Sequence, residues 1–436
     1  MTSTEQTTTG DVVDELMSFL EDNWDPDLTV AAWWDRLGTS GWAAPSWPVD
    51  RFGRGLSRNE GVQVQETIAN FGALGAPGGL GLLLAGPTII THGTDSQVDS
   101  YVRDIVTGQK AWCQLFSEPS AGSDLAGLQT RAELDGDEYV VNGQKVWTSG
   151  GQIADLGMLI ARTDWSKPKH QGITYFALEM SQPGVEVRPL RELTGRALFN
   201  EVFLTDARTS VGTVIGGAGN GWAVANTTLA NERSGLGAGG GSSATSMATP
   251  GRVMGHLPQR AGDFVRGARR SGGAVLGGMG AMGKLLTNLA RGNGTIGDPT
   301  IRQELARLHT YGEIARYTNL RMKAAKASGR APGPEANTSK LAMSRIVRLS
   351  RELGLRIIGA QGMLHSYDEA GRAALAEATG SPFGAMITET ALFSPAPSIY
   401  GGTDEIQRNI IGERVLGLPK EPSNDRTTPF SELPKN

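Results

Sequence analysis

Two short segments concentrate the residue types that can hold and orient a ligand. The first, Phe-Ser-Glu-Pro-Ser-Ala-Gly-Ser-Asp, spans residues 116–124, and the second, Asn-Gly-Gln-Lys-Val-Trp-Thr-Ser-Gly, spans residues 142–150. Both combine glycine with hydroxyl side chains, which donate and accept hydrogen bonds. Taken singly, Trp147 would be ordinary core and Ser123 an ordinary turn residue. Their occurrence together favours a shared binding site.

Metal and disulfide chemistry is not indicated. Cys113 is the only cysteine, so the chain can form neither an internal disulfide nor a cysteine-based metal site. The histidines are scattered and lack the H-E-x-x-H spacing of a helical zinc site: His92, His170, His256, His309 and His365. We therefore expect no metal.

One glycine motif is misleading. Residues 278–284 match G-x-G-x-x-G and nearly match a P-loop, but Leu285 stands where a P-loop needs serine or threonine. A dinucleotide fingerprint would also need a preceding buried strand and an acid about 20 residues later. Because the chain has 60 glycines, such a match is expected by chance.

Size and charge favour an enzyme acting on a small ligand. The chain has 436 residues, of which 39% are hydrophobic, and a formal net charge of -4. That length allows two or three packed subdomains, and the mildly acidic balance argues against nucleic acid. Residues 1–5 lack the basic and apolar regions of a signal peptide, so none is expected. The apolar run 80–90 is far shorter than the ~20 residues of a membrane span. We expect a soluble, cytoplasmic protein.

The hydrophobic period changes twice along the chain, which predicts three parts. Residues 1–110 have a helical period, with a serine cap signal at Ser57. Residues 111–214 are rich in turn pairs, including 135–137 and Asn142-Gly143, which predicts a small all-β barrel or sandwich. Helical periodicity returns in residues 215–436. The predicted strands are 138–141, 156–161, 173–178, 185–187 and 202–204.

Cap signals predict where the C-terminal helices begin. Asp298 before Pro299 starts one helix, which Gly329 ends, residues 339–355 form a second, and Thr403 starts the last. The positions expected to face inward on the first and last of these helices are Ile301, Leu305, Leu308, Tyr311, Ile314, Ile406, Ile410 and Leu416.

Two segments are expected to be irregular. Residues 235–294 are rich in Gly, Ser and Arg, and we interpret them as a partly flexible insertion, more simply a solvated loop than a grip for phosphate. The polar tail after Pro419 is expected to be loose.

Segments 116–124 and 142–150, together with Tyr-Gly-Gly-Thr at 400–403, resemble the signature regions of the acyl-CoA dehydrogenase family. The resemblance covers nearly the whole chain and is strongest at 112–214 and 397–419. It implies an α+β multidomain fold with an N-terminal helical domain, a middle β-barrel and a C-terminal helical bundle. It also implies FAD as cofactor.

The resemblance assigns flavin contacts to the middle domain. Gln114 and Ser117 are expected beside the isoalloxazine, and Trp147 is expected to cover the ring. Thr148 and Ser149 are expected to bond its polar edge. Ser123 would donate to a phosphate or to the acyl-CoA.

Further flavin contacts are implied in the C-terminal half. Thr403 and Glu405 lie at the start of the last helix, where free N–H groups suit an anion. Ala360 and Gln361 resemble a loop that reaches the FAD of a neighbouring subunit, and Arg291 and Gln303 resemble other contacts across subunits. Such contacts imply an oligomer, as a dimer of dimers.

The catalytic base is expected in an unusual place. Many family members have a glutamate directly after the tyrosine of the last signature, where this chain has Gly401. A subset, including isovaleryl-CoA and bacterial steroid-side-chain-type dehydrogenases, places it on an earlier helix in a Glu-Arg pair. Glu232-Arg233 resembles that pair, although alone it would read as a surface ion pair. We expect Glu232 as base, with Arg233 and Gly401 at a branched or bulky acyl group.

Three functions stay open at this point. The first is dehydrogenation of an acyl-CoA thioester with electrons passed to an electron-transfer flavoprotein. The second is a non-catalytic subunit of a heteromeric dehydrogenase, since one subunit of such assemblies can lack the base. The third is a flavin oxidase.

Overall fold

The computed structural model describes residues 9–237, 248–270, 278–328 and 335–434. An N-terminal helical region, a mixed sheet and a C-terminal set of helices follow one another along the chain, which confirms the predicted fold class. None of the described helices combines the length and apolar character needed to cross a membrane.

The N-terminal region is built from short helices around a tryptophan-rich core. Ser57 and Glu60 form the reciprocal hydrogen bonds of a capping box, which confirms the helix start predicted there. Leu16 and Leu20 are fully buried with Trp33 and Trp34. The helices are α1 (Thr9–Asn23), α2 (Val30–Thr39), α3 (Arg58–Phe71), α4 (Gly86–His92), α5 (Asp95–Gln97) and α6 (Arg103–Val106).

The central region is one mixed sheet. Its strands are β1 (Trp112–Leu115), β2 (Arg131–Asp135), β3 (Glu138–Ser149), β4 (Leu156–Arg162), β5 (Ile173–Glu179), β6 (Val185–Leu190), β7 (Phe199–Ser210) and β8 (Val214–Ile215). Their order is β6-β7-β3-β2-β4-β5-β8, with β1 parallel to β4. The hairpin predicted at 135–137 joins β2 to β3.

The turn predicted at Asn142-Gly143 is wrong, because β3 runs straight through it. Its glycine serves close approach instead: a Cβ at Gly143 would lie 2.4 Å from Thr130 Oγ1 and 2.8 Å from Thr130 Cα. The register of β3 against β7 shifts at this point, which is typical of an irregularity that bends a strand.

The sheet curls around its own core. Along β4 every residue is buried, because Leu159 and Ala161 face the interior of the curled sheet while Met158 and Ile160 face helices. Tyr139 of β3 meets Phe176 of β5 across that interior, with ring centroids 5.0 Å apart. In the described sheet the end strands β6 and β8 do not pair with each other, so hydrogen bonds do not close the barrel there.

Helix α7 (Gly221–Gly237) lies against the outer face of this sheet. Its Thr228 hydroxyl is buried 2.9 Å from Thr88 Oγ1 and 3.3 Å from Tyr175 Oη of β5. Its Thr227 Oγ1 lies 2.7 Å from His92 Nε2 at the end of α4. These contacts fix the position of the helix on which Glu232 lies.

Two of the C-terminal helices begin where cap signals place them, and the helix predicted at 339–355 lies within a longer one, Glu335–Ile358. Asp298 Oδ1 accepts from Thr300 N (2.7 Å), and Thr403 Oγ1 accepts from Ile406 N (3.2 Å). Gly329 lies outside the described residues. The helices are α8 (Ala261–Arg270), α9 (Gly278–Gly292), α10 (Pro299–Ala327), α11 (Glu335–Ile358), α12 (Glu369–Thr379), α13 (Gly384–Phe393) and α14 (Asp404–Arg414).

Two positions expected to face inward are wrong. Ile314 is 53% exposed, because the buried face of α10 continues from Ile301 and Leu308 to Ala315, seven residues further on. Leu416 is 68% exposed because α14 has ended before it.

The interpretation of the insertion as a solvated loop is wrong for its described part that follows residue 247. Val30 N and Ala31 N donate to the carbonyls of Gln259 and Leu257, and Leu257 is buried against the N-terminal core. Residues 248–265 therefore form part of the N-terminal region. Residues 238–247 and 271–277 lie outside the described residues.

The expectation of a loose tail is also wrong. Phe430 is only 6% exposed, and Lys169 forms an ion pair with Asp425 of the tail. Burial of one aromatic side chain can order a polar segment that composition alone predicts to be irregular.

Candidate active site

A buried ion pair fixes the first signature segment. Lys145 Nζ of β3 lies 2.8 Å from Glu118 Oε1 and donates to Phe116 O at 3.0 Å. Glu118 also accepts from the backbone N–H groups of Gln129 and Thr130. Both side chains of the pair are almost completely buried. The loop after β1 is thereby tied to β3 and to the residues before β2.

The electrostatics of this pair follow from burial and mutual attraction. Burial alone would raise the pKa of Glu118, but Lys145 and the hydrogen bonds to the carboxylate hold that pKa below its usual range. Burial lowers the pKa of Lys145, which Glu118 opposes. Sequence reasoning missed this pair; its signal is a lysine in the middle of a strand.

Trp147 occupies a bulge in β3. Lys145 pairs with Val202 and Thr148 with Asn200, so two residues of β3 lie opposite Glu201. The bulge holds Trp147 at φ 62°, a left-handed conformation that is uncommon for a bulky residue. Strained backbone of this kind clusters at functional sites. The indole is 60% exposed, in edge contact with Phe199.

Ser149 is exposed as well, two residues beyond Trp147, whereas the Thr148 side chain is fully buried. Among the described residues, Thr148 Oγ1 has no hydrogen-bond partner, and its carbonyl accepts from Asn200 Nδ2 at 2.9 Å. The expectation that Thr148 and Ser149 bond the polar edge of the flavin stays a prediction.

The expected base lies beside an expected flavin contact. Gln114 Nε2 of β1 donates to Glu232 Oε2 of α7 at 3.5 Å. Three residues after Gln114, the carbonyl of Ser117 accepts from Val146 N at 2.9 Å, next to the bulge. We call Gln114, Ser117, Trp147, Ser149 and Glu232 the sheet surface. The side chain of Arg233 lies outside the described residues.

Ser123 is exposed in the loop that leaves this surface. Glu118 and Ala121 exchange two backbone hydrogen bonds of 3.0 and 3.1 Å, which makes a tight turn just before it. Asp124, the next residue, accepts from Lys169 Nζ at 3.0 Å.

Residues 400–403, which we call the glycine loop, precede α14. Gly401 and Gly402 have φ values of 63° and 84°. Gln407 Nε2 donates to both of their carbonyls, at 3.0 and 3.4 Å. Thr403 caps α14, and Glu405 is exposed and pairs with Arg408.

The glycine loop is anchored to α11 through Asp404. Its carboxylate is 4% exposed and lies 2.6 Å from Arg348 Nη2 and 3.6 Å from Lys340 Nζ. The inward-facing residues of the first turns of α14 are therefore polar, Asp404 and Gln407, which the apolar pattern did not reveal.

The four expected cross-subunit contacts lie at one end of the helical bundle. Asn293 Nδ2 donates to Ile357 O (2.7 Å), and Arg356 Nη2 donates to Thr300 Oγ1 (2.8 Å). These bonds bring the ends of α9 and α11 together with the start of α10. We call Arg291, Gln303, Ala360 and Gln361 the bundle-end group. All but Gln361, which donates to Thr379 O at 3.3 Å, are exposed.

Three family models match this chain. They describe the N-terminal, middle and C-terminal domains of acyl-CoA dehydrogenases, and they match residues 6–109, 113–207 and 270–416. The chain belongs to the acyl-CoA dehydrogenase family. As a member it is a FAD-dependent oxidoreductase, which confirms the resemblance, the enzyme class and the cofactor.

Relatives of this acyl-CoA dehydrogenase align with most of its sequence. The acyl-CoA dehydrogenase IpdE1 of Mycobacterium tuberculosis is 36% identical over 399 residues, covering 89% of this chain and 88% of the relative. Two solved structures share the fold at 24% identity, each covering 97% of this chain and 100% of its own. They are the Tcur3481–Tcur3483 steroid ACAD (TM-score 0.67) and the ChsE4–ChsE5 complex of Mycobacterium tuberculosis (TM-score 0.65).

The sheet surface fits the cofactor. A flavin needs cover for its ring and hydrogen-bond partners for its edge. An exposed indole in a strained bulge, with the exposed Ser149 two residues away and Ser117 beside the bulge, offers both.

Proposed function

We propose that this acyl-CoA dehydrogenase removes the α-proton of a branched or bulky acyl-CoA thioester with Glu232 as general base. The observation that supports this most directly is the 3.5 Å contact between Gln114 Nε2 and Glu232 Oε2. This contact places the carboxylate of Glu232 next to β1, the strand whose Gln114 is expected to lie beside the flavin.

The proton chemistry follows from the residues of the site. The α-proton of a thioester is poorly acidic, so a carboxylate must approach it within hydrogen-bond distance. Gln114 donates to Oε2 of Glu232 and so helps to orient the carboxylate. When bound, FAD supplies the acceptor for the hydride lost from Cβ.

The glycine loop is proposed to bind the thioester oxygen through a backbone N–H, which Gly401 offers as any non-proline residue does. Gln407 holds the carbonyls of Gly401 and Gly402, and so the two peptide planes that follow this N–H. Because Gly401 has no side chain, it would leave room near the Cα of the acyl group. A structural neighbour described as a steroid ACAD agrees with a bulky acyl group.

The remaining contacts are proposed by position. Ser123 would donate to a phosphate of the cofactor or to the acyl-CoA, and Arg233 would lie at the substrate. Thr403 and Glu405 would contact the flavin from the start of α14. The exposed bundle-end group would reach the FAD of a neighbouring subunit, which makes the enzyme an oligomer.

The partners are proposed in the same way. An assembly of two kinds of chain agrees with a structural neighbour that is a complex of ChsE4 and ChsE5. An electron-transfer flavoprotein would accept the electrons. A non-catalytic role is the second candidate, favoured by Gly401 but opposed by the contact of Glu232 with Gln114.

Anaerobic titration of the purified flavoprotein with a panel of acyl-CoA thioesters tests the proposal. Bleaching of the flavin by branched or polycyclic acyl groups, and much less by short straight chains, is the expected result. A flavoprotein that no thioester reduces would favour the non-catalytic role. Rapid reaction of the reduced flavin with oxygen would indicate an oxidase.

A further inference from the structure

The C-terminal segment 424–433 packs on the loop between β4 and β5. Phe430 N donates to Lys167 O at 2.9 Å, and Ser431 N donates to Trp165 O at 3.0 Å. The Phe430 side chain is 6% exposed and its ring centroid lies 5.3 Å from that of Trp165. The segment is therefore held by backbone bonds and by one buried aromatic anchor.

Phe430 covers a buried guanidinium. The Cζ atom of Arg162 lies 3.4 Å from the ring centroid of Phe430, and Arg162 is fully buried. Its donors go to three carbonyl oxygens: Ala126 (2.7 Å), Lys169 (3.1 Å) and Leu128 (3.2 Å). Burial lowers the pKa of Arg162 to about 10, so the group stays charged at neutral pH.

A second path runs through Lys169. Its ammonium lies 3.0 and 3.1 Å from the two carboxylate oxygens of Asp124 and also pairs with Asp425 of the C-terminal segment. Lys169 is only 10% exposed, whereas Asp124 and Asp425 are 47% and 33% exposed, so water screens these contacts in part.

The contacts through Arg162 and those through Lys169 both connect the C-terminal segment to residues 124–128. Asp124, Ala126 and Leu128 follow the Glu118–Ala121 turn, which lies between Ser117 and Ser123. We propose that segment 424–433 is a clamp that positions the 117–128 loop for ligand binding, with Phe430 and Asp425 as positioning residues. The proposal rests on the proposed function of Ser117 and Ser123 in holding the cofactor and substrate.

Phe430→Ala in the full-length chain tests the clamp, with FAD as the probe. Removal of the ring opens Arg162 to water, which competes for its hydrogen bonds to the 126 and 128 carbonyls. We expect the dissociation constant of FAD to rise about tenfold, within the range of a desolvated cation–π contact. Phe430→Tyr keeps the ring and should restore the affinity. Glu432→Ala, at an exposed position of the same segment, should match wild type.

A coupling measurement separates positioning from general loss of stability. If the clamp acts through the loop, Phe430→Ala and Ser117→Ala affect the same contact, so their effects on FAD affinity should fall short of additive. Strictly additive effects, or unchanged FAD affinity in Phe430→Ala, would overturn the proposal. If Phe430→Ala does not fold, Asp425→Asn and Phe430→Leu decide by the same readout. A wild-type chain that binds no FAD would instead overturn the proposed function.

Discussion

The sheet surface and the glycine loop are held by different means. Beneath the sheet surface, Lys145 and Glu118 form a buried pair, and backbone groups supply further hydrogen bonds to both. Behind the glycine loop, Gln407 Oε1 and Asp404 Oδ1 are buried without a hydrogen-bond partner among the described residues. The sheet surface presents side chains above a buried ion pair, whereas the glycine loop presents mainly its backbone. On the proposed function, the proton chemistry belongs to the sheet surface.

The largest effect is expected from Glu232→Gln. The amide keeps the shape and can still accept from Gln114, but it cannot take a proton. FAD should stay bound while reduction by an acyl-CoA slows by about 10²–10⁴-fold, the range of lost general-base catalysis. Stopped-flow absorbance of the flavin measures this. Glu66→Gln, at an exposed position of α3, serves as control; near-normal reduction in Glu232→Gln would move the base to another residue.

Lys145→Met should cost the most stability. It leaves Glu118 buried without its counter-ion, which typically costs about 3–5 kcal/mol. Gln407→Leu removes two hydrogen bonds behind the glycine loop and should cost less, about 1–3 kcal/mol at a net value near 1 kcal/mol each. Urea unfolding of both variants measures the difference. Equal losses would show that the two regions are held equally firmly.

The pH dependence of stability should report Glu118. Its pKa is lowered in the folded chain, so its contribution is complete above the usual value of 4.5 and is lost as pH falls through the folded value. Urea midpoints should therefore decline below about pH 4.5. In Lys145→Met this decline should be lost or reversed, because burial without the counter-ion raises the pKa of Glu118 above its unfolded value, so that protonation then favours the folded chain. An identical profile in both proteins would contradict the assignment.

Trp147 separates cofactor binding from backbone strain. Trp147→Ala and Trp147→Gly both remove the indole, so both should lose FAD or shift its visible spectrum. Glycine also relieves the left-handed strain, and Trp147→Gly should be about 1 kcal/mol more stable than Trp147→Ala. Equal stability would mean that the bulge relaxes in the variants.

Local chemistry made much of this fold predictable. Ser57, Asp298 and Thr403 satisfy the first N–H groups of their own helices, and such signals need no distant partner. The 135–137 turn is local in the same way. Side-chain periodicity was less reliable, since Ile314 and Ala315 differ by one position in a stripe and only packing decides which is buried.

Features that depend on distant partners were not predictable. Lys145 is buried because Glu118, 27 residues earlier, neutralises it. Phe430 orders the tail because its ring packs against Arg162 and Trp165, and the composition of the tail does not predict these contacts. Gly143 is of a type common in turns, yet here a glycine is needed because Thr130 lies too close for any side chain at this position. In each case the cause lies in tertiary contact and not in the neighbouring sequence.

The smallest expected effect concerns Gly401, for which there are two explanations. The glycine either makes room for the acyl group or only allows the left-handed backbone conformation. Its φ of 63° suits glycine whatever the substrate, and any side chain there costs about 1–2 kcal/mol. Gly401→Ala carries that cost without a carboxylate, so it is the matched control for Gly401→Glu. If the loop faces the acyl group, Gly401→Glu should reduce initial rates with branched thioesters more than Gly401→Ala does.

The double variant Glu232→Gly with Gly401→Glu completes this test. If the two positions flank the same Cα, the moved carboxylate should recover part of the activity on straight-chain acyl-CoA, where the narrower site still fits. If Gly401 only satisfies the backbone, the double variant should be as inactive as Glu232→Gly, and the two substitutions at 401 should share one acyl-chain preference. That second outcome would leave the sheet surface as the source of the base and remove the glycine loop from the control of specificity.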